Sequence, residues 1–392
     1  MENLIIKPSY TSLFSCIGPE CSDSCCNDWM ITFDKQSYKK TLSNKYLADI
    51  AAFAILETKD SESEWAVINL DKNGACPFLN PQKLCNIHAK AGEDALSHTC
   101  KTYPKRDQLI GPDKYKSLYL SCPEVARIVL FDDNAFQFSA NPSGAKTIAA
   151  QSPAWLEKSY EYSLDLLLNS GLIWQEALFI IGLLAKTSHD VKTGKVAIEH
   201  LEIRYQQLLK MAKMGMISQQ FNAISYSEKP QTHTFVAIHD ALCTMHSRST
   251  RPRFMSINDA INQLCNEEND YSIESINNSW NLMVENQVVN LDEIFTKFIL
   301  YSMFHNHFPM HTDHDPEQVF QQLVIDCFMI RCYLAAVYHK EQQLTQADII
   351  KCFQVYHVVR QHKPKFIDKI KNILTEFGLT TLPSAMSLLK TQ

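Results

Sequence analysis

The sequence predicts a mainly α protein, in which an irregular cysteine-rich domain that binds a metal or cluster precedes an all-α helical domain. Three observations predict it. Eight of the thirteen cysteines fall at Cys16, Cys21, Cys25, Cys26, Cys76, Cys85, Cys100 and Cys122, far denser than packing alone produces. Up to about residue 130 the text is short, mixed and broken by Pro, Gly and Asn, with no long helical period. After Trp155 apolar residues recur at three- and four-residue steps. A chain of 392 residues, 45% hydrophobic and 20% charged, can bury a large core and is expected to form two or three domains. The expected division is 1–131 for the cysteine-rich domain, 132–154 for a connector and 155–392 for a helical domain that recognises substrate.

At the N-terminus an acidic residue at position 2 and the short run Leu4-Ile5-Ile6 leave no secretory core. No apolar stretch reads as long enough for a membrane span, the most apolar running from Ala177 to Ala185. The chain is therefore expected to be cytoplasmic, monomeric and without a membrane partner. Thiols stay reduced in that compartment, which argues against a disulfide framework. The net charge of −6, with lysines spread along the chain, offers no basic stripe, so no nucleic-acid partner is expected. Among only ten glycines, none forms G-x-G-x-x-G or G-x-x-x-x-G-K-[ST], so any nucleotide-like cofactor must be held without a Rossmann or P-loop turn.

The thiols read as Cys16-x4-Cys21-x3-Cys25-Cys26, Cys76-Pro-Phe, Cys85-Asn-Ile-His88, His98-Thr-Cys100 and Cys122-Pro. Metal or cluster ligation is the reading, with buried inert cysteines as the bland alternative. A structural zinc site takes four ligands, usually in two close pairs. Here the adjacent pair Cys25-Cys26 breaks that pattern, and eight sulfurs exceed one zinc. A [4Fe–4S] cluster takes four thiolates, or three with one iron left open. The reading favours the cluster and keeps zinc as the alternative, because spacing does not choose the metal. His88 and His98 are expected to hydrogen-bond to the ligands rather than ligate. Trp29 reads as core, with shielding of the metal as the other option.

Between Asp132 and Pro153, turn formers such as Asn141-Pro-Ser-Gly mark a connector or hairpin. Tyr160, Leu164, Leu167 and Leu168 start the helical part, a break comes at Asn169-Ser-Gly171, and a second helix runs from Ile173 to about Lys186. Further amphipathic segments are expected at about 190–217, 232–247, 256–267, 289–305, 316–340, 345–361 and 364–377. Ser256 and Asp259 fit a capping box, with Ser256 as the N-cap. Cys243, Cys265, Cys327, Cys332 and Cys352 fall at apolar helical positions and read as small buried hydrophobes. In His305-Asn-His307-Phe-Pro309-Met-His311-Thr-Asp-His314, Pro309 interrupts the spacing and no Glu follows His307. This disables the H-E-x-x-H reading and leaves solvent-exposed loop histidines.

Several blocks carry a resemblance. CIGPECSDSCCNDW from Cys16 to Trp29, CPFLN from Cys76, LCNIHAKAGEDALSHTCKTYPK from Leu84 to Lys105, and SCPEVARIVL from Ser121 to Leu130 occur in order. Together they resemble the FliB-type flagellin lysine-N-methylase family, within a wider group of cysteine-rich zinc- or iron-chelating proteins. The resemblance is close over the first third and looser beyond, as at Tyr301 to Pro309.

The resemblance implies transfer of methyl groups from S-adenosylmethionine to lysine ε-amines of flagellin, by an enzyme holding an iron–sulfur cluster. The spacing departs from the radical signature C-x3-C-x2-C, since Cys26 follows Cys25 directly, so radical chemistry is not inferred. Such a reaction must free the lysine amine of its proton, because only about one amine in a thousand is neutral near pH 7. Tyr103 and Glu124, beside Cys100 and Cys122, are the candidate proton acceptors. Arg106 and Arg127 are candidates to grip the methionine carboxylate through paired hydrogen bonds, against the plain reading of structural ion pairs. The metal would bind the methionine moiety at an open iron, or only support the fold. The competing function is a non-catalytic zinc- or iron-binding interaction protein.

Overall fold

Strands β1 (Leu4–Pro8), β2 (Thr32–Phe33), β3 (Ile55–Glu57), β4 (Ala66–Ile68), β5 (Lys105–Ile110), β6 (Asp113–Leu118) and β7 (Phe138–Pro142) form two sheets in the N-terminal third. This computed structural model describes residues 3–26, 31–72, 74–144, 151–245, 252–265, 271, 273–362 and 365–392. The strands run two to six residues, too short for an alternating period to be read. The first sheet has the order β5-β6-β1-β7. Its centre is β1, parallel to β6 with Ile5 opposite Lys114, and antiparallel to β7 with Ile5 opposite Asn141. The second sheet, β2-β4-β3, is smaller.

The rest is helical, as expected. The N-terminal part carries α1 (Tyr10–Leu13), α2 (Lys35–Ser43), α3 (Ala48–Ala54), α4 (Asn86–Ala91), α5 (His98–Thr102) and α6 (Pro123–Phe131). Next come α7 (Ala154–Asn169), α8 (Trp174–Lys192), α9 (Glu199–Lys213), α10 (Met216–Asn222), α11 (Glu228–Met245) and α12 (Pro252–Asn262). The chain ends with α13 (Ile273–Glu285), α14 (Leu291–Asn306), α15 (Pro316–Glu341), α16 (Gln346–Arg360), α17 (Phe366–Glu376) and α18 (Leu382–Met386). The segment expected as one helix over 190–217 is divided. There α8 runs on to Lys192, Gly194 turns the chain at φ +75°, and α9 and α10 follow. Ser256 is not an N-cap, because α12 already begins at Pro252, a residue suited to the first helical turn.

Packing makes two cores. A small one gathers Ile31, Phe33, Leu47, Ile55, Ile68, Phe78 and Ile87. The large one joins Tyr10 and Leu118 to Leu130 with the helices, so α6 packs on α14 and α16 although its sequence lies in the cysteine-rich third. At the centre of the large core is α15, which touches α8, α12, α13, α16 and α17. It corrects the expectation about apolar length. By length and composition α15 is long enough to cross a bilayer, and 89% of its apolar window is buried inside the protein. Asp326 and Arg331 interrupt that run in the sequence; Asp326 is paired inside, and Arg331 has one bonded nitrogen, its Nε and Nη1 having no hydrogen-bond partner among the described residues. Asp326 accepts from Tyr356 Oη at 2.7 Å and pairs with Arg360 Nη2 at 2.9 Å, while Arg331 Nη2 donates to Asn277 Oδ1 at 3.0 Å. Where α8 crosses this region, a Cβ on Gly182 would stand 2.4 Å from Leu382 Cδ1 and 2.6 Å from Phe320 Cζ, so only glycine fits.

The histidine-rich stretch is also corrected. His305, His307 and His314 are buried, because α14 continues to Asn306 and the left-handed turn at His307 swings that ring inward. His307 stacks on Tyr160 at 4.2 Å and meets the edge of Tyr115 at 4.9 Å. Neither ring nitrogen has a hydrogen-bond partner among the described residues, with Glu157 Oε2 at a long 3.7 Å. Burial therefore pushes its pKa down to about 4. The unfolded chain takes up this proton near pH 6.5 and the folded chain near 4, so His307 costs stability progressively as pH falls through that interval. The His307→Phe variant is expected to lose up to roughly 1.4 kcal/mol per pH unit of that slope, read from denaturant midpoints between about pH 6.5 and 4. An unchanged slope would show the ring to be protonated in place.

Candidate metal centre and its helical wall

Each thiol of the N-terminal third is set by a local turn. Cys85 and Cys122 are the N-caps of α4 and α6, and in α6 a proline fills the first helical position. A cap sulfur then faces the free N–H groups of the first turn. These are Ile87 and His88 for Cys85, and Glu124 and Val125 for Cys122. Phe78 N–H does the same for Cys76 in Cys76-Pro-Phe. Cys100 sits in α5, started by the Ser97 hydroxyl, which accepts from Cys100 N at 3.2 Å. Cys76 N donates to Cys26 O at 2.9 Å, tying the Cys25-Cys26 pair to the small core.

The turns bring several sulfurs within electrostatic range of one another. All thirteen cysteines are free thiols. Cys25 lies close enough for its charge to raise the pKa of Cys21, Cys76, Cys85, Cys100 and Cys122, while Cys16 reaches Cys21. Burial, foremost, pushes Cys76 and Cys122 up to about 12 and Cys100 to about 11, and the backbone N–H groups or the Ser97 hydroxyl pull the other way. Cys25 is raised chiefly by the Cys26 thiol. Thiolates set this near one another need a cation, and a soft donor set of this kind fits zinc or an iron–sulfur cluster. Among the described residues, no three His, Cys, Asp or Glu side chains already form a finished ligand set.

The helical part closes the other side of this centre, which sequence reasoning missed. Gln354 of α16 donates to Asp23 Oδ2 at 2.7 Å and to Ser121 O at 3.0 Å. Arg253 of α12 donates to Gln354 Oε1 at 3.1 Å and stands within reach of the charges of Asp23 and Cys21. Just past α16, Gln361 Oε1 accepts from Ser121 N at 3.2 Å, and His362 Nε2 shares a 2.9 Å hydrogen bond with Ser121 Oγ. These residues lie more than 200 positions from Cys16 to Cys26, and no motif marks them.

The sequence-derived candidates separate here. Tyr103 is at the centre, its hydroxyl 3.1 Å from Ser121 Oγ, and burial with the charges of Cys122 and Cys25 holds its pKa well above the usual phenol range. Glu124 and Arg127 hold each other, through bonds of 2.7 and 2.9 Å, one turn apart on α6. The pair leaves neither a free base nor a free carboxylate grip. Arg106 is different, lining a cavity beside the centre with its Nη1 buried and without a hydrogen-bond partner among the described residues. His88 and His98 are exposed, and Trp29 lies outside the described residues. Cys327, Cys332 and Cys352 are fully buried as expected, whereas Cys243 and Cys265 are half-buried. Cys265 lies beyond the end of α12, in a bridge to Tyr271, so it is not a helical core position.

Comparison with known proteins matches two segments of the chain. Residues 160–388 match the FliB lysine N-methylase C-terminal domain, and residues 15–123 match the family described as "Putative zinc- or iron-chelating domain". The chain is 27% identical to a lysine-N-methylase of Salmonella choleraesuis over 376 residues, covering 92% of each, and equally so to that of Salmonella typhimurium. It is 34% identical to the flagellar biosynthetic protein FliU of Salmonella muenchen, over 42% of this chain and 97% of that protein. No solved structure matches.

Substituting serine for Cys85 or Cys100 is expected to abolish bound zinc or iron, measured by elemental analysis of purified protein. Cys243→Ser, far along the helical part, should keep it. Full metal content in the Cys85 and Cys100 variants would remove both from the ligand set.

Proposed function

Because the chain belongs to the FliB lysine N-methylase family, we propose that it transfers methyl groups from S-adenosylmethionine to lysine side chains of flagellin in the cytoplasm, acting as a monomer. The observation that carries this reading is the wall shared by the two matched regions, where Asp23 and Ser121, near Cys21 and Cys122, bond to Gln354 and Gln361, and Arg253 bonds to Gln354. The relatives named lysine-N-methylase extend over both regions, which supports one activity for the whole chain.

The thiol group fits a [4Fe–4S] cluster, with zinc as the alternative. Cys25 or Cys26 with Cys76, Cys85 and Cys100 would hold it from the small core, with Cys21 and Cys122 as further thiols able to contribute. When bound, it supplies the positive charge that keeps these sulfurs as thiolates. The protein's own residues do the rest. A lysine amine is almost wholly protonated near neutral pH, so it must lose its proton before it attacks a methyl group. Tyr103, Ser121 and His362 make a hydroxyl–hydroxyl–imidazole chain that carries this proton away, with the neutral phenol relaying rather than storing it.

Mass spectrometry of flagellin incubated with the metal-loaded protein and S-adenosylmethionine should show lysines heavier by one methylene per methyl added. In Tyr103→Phe the rate should fall by about 10²-fold or more, the usual loss for a missing proton-transfer group, with metal content unchanged. Unmodified flagellin in the presence of an intact metal centre would favour a non-catalytic metal-dependent interaction protein.

A further inference from the structure

A cavity of about 340 Å³ opens between the β5–β6 hairpin and helices α14 to α17, and its cationic wall is made by two guanidinium groups, Arg106 and Arg360. The two are not equivalent. Arg360 is neutralised from behind by Asp326, through Nη2 to Oδ2 at 2.9 Å and Nε to Oδ1 at 3.2 Å. Arg106 has no carboxylate at ion-pair distance among the described residues, and its buried Nη1 has no hydrogen-bond partner there. A guanidinium atom shut away from water without a partner is unfavourable. A carboxylate in the cavity would supply the counter-charge that this guanidinium lacks.

The charge count selects the anion. One unneutralised guanidinium balances one carboxylate, whose two oxygens match the paired N–H groups of arginine, and falls short of a doubly charged phosphate. Beside it Asn306 donates its Nδ2 to Ser302 O at 3.0 Å, which leaves Oδ1 to accept from an ammonium group. The lining also includes the apolar side chains of Phe308, Phe366 and Ile367. A carboxylate, an ammonium and a large uncharged ring in one molecule describe an amino acid joined to a nucleoside. The volume lies in the range of about 300–1,000 Å³ common for sites that bury such molecules. Gln361 belongs to this cavity and also accepts from the backbone N–H of Ser121, next to Cys122, so cavity and thiol centre share one wall.

The geometry points to this cavity as the seat of the methyl donor, with its methionine carboxylate on Arg106 and its nucleoside against Phe308 and Phe366. This placement rests on the methyltransferase reading above. It gives the carboxylate to an arginine of β5 rather than to an open iron, and it leaves Arg127 with its own partner, Glu124.

The test is calorimetry on the full-length metal-loaded protein with two probes. S-adenosylhomocysteine keeps the amino-acid end, and 5′-methylthioadenosine lacks it. Arg106→Gln should weaken S-adenosylhomocysteine by roughly 10- to 100-fold, the worth of charge-assisted hydrogen bonds, and leave methylthioadenosine unchanged. Ile367→Trp, which fills the apolar wall without touching Arg106, should weaken both probes. Unaltered S-adenosylhomocysteine binding in either variant overturns the placement while leaving the methyltransferase reading intact. No binding of S-adenosylhomocysteine by the unaltered protein overturns both.

Discussion

Mutual repulsion among closely set thiolates is the constraint on which the rest of the structure depends. The body formed by residues 31–100 has a core of twelve buried residues and a sheet whose strands are two or three residues long. A core that small does not hold a chain of this length without a staple. Its sulfurs are placed at helix starts and tight turns where backbone N–H groups face them, an arrangement that favours thiolates. Burial and crowding work against the same thiolates. A metal would resolve the conflict and turn the most unfavourable feature of the small body into the feature that joins it to the large one.

The junction is polar because the two cores cannot merge around charged sulfur. Asp23 and Ser121 on the thiol side meet Gln354, Gln361 and His362 on the helical side. Tyr301 extends this seam inward. It donates to Leu118 O at 2.8 Å and accepts from Leu120 N at 3.0 Å and from Gln361 Nε2 at 2.8 Å. One tyrosine of α14 thus satisfies the end of β6 and the end of α16 together. Buried polar groups are stabilising when they are bonded, and Gln354, Gln361 and Tyr301 each make two or more bonds in this seam.

Much of this was legible in the sequence. The density and spacing of the N-terminal cysteines announced a metal-binding region, and the apolar periods after Trp155 announced helices whose existence the structure bears out. What stayed hidden depended on tertiary contacts. Arg253 and Gln354 sit on ordinary amphipathic helices, and nothing local distinguishes them from surface residues. The membrane-length character of α15 was masked by Asp326 and Arg331, whose charges look prohibitive until their buried partners are known. His307 reads as a loop residue because Pro309 ends the helical period, yet the turn that follows α14 carries it into a cage of tyrosines. The strands β1 and β7 pair across more than 130 positions, a separation at which no sequence pattern speaks.

Amide hydrogen exchange with and without bound metal tests most directly whether the metal centre holds the small body together and docks it on the helices. On metal removal, protection is expected to collapse across residues 31–100 and at Ser121 to Val125, while α8, α14 and α15 keep theirs. Equal protection of residues 31–100 in the metal-free protein would contradict it.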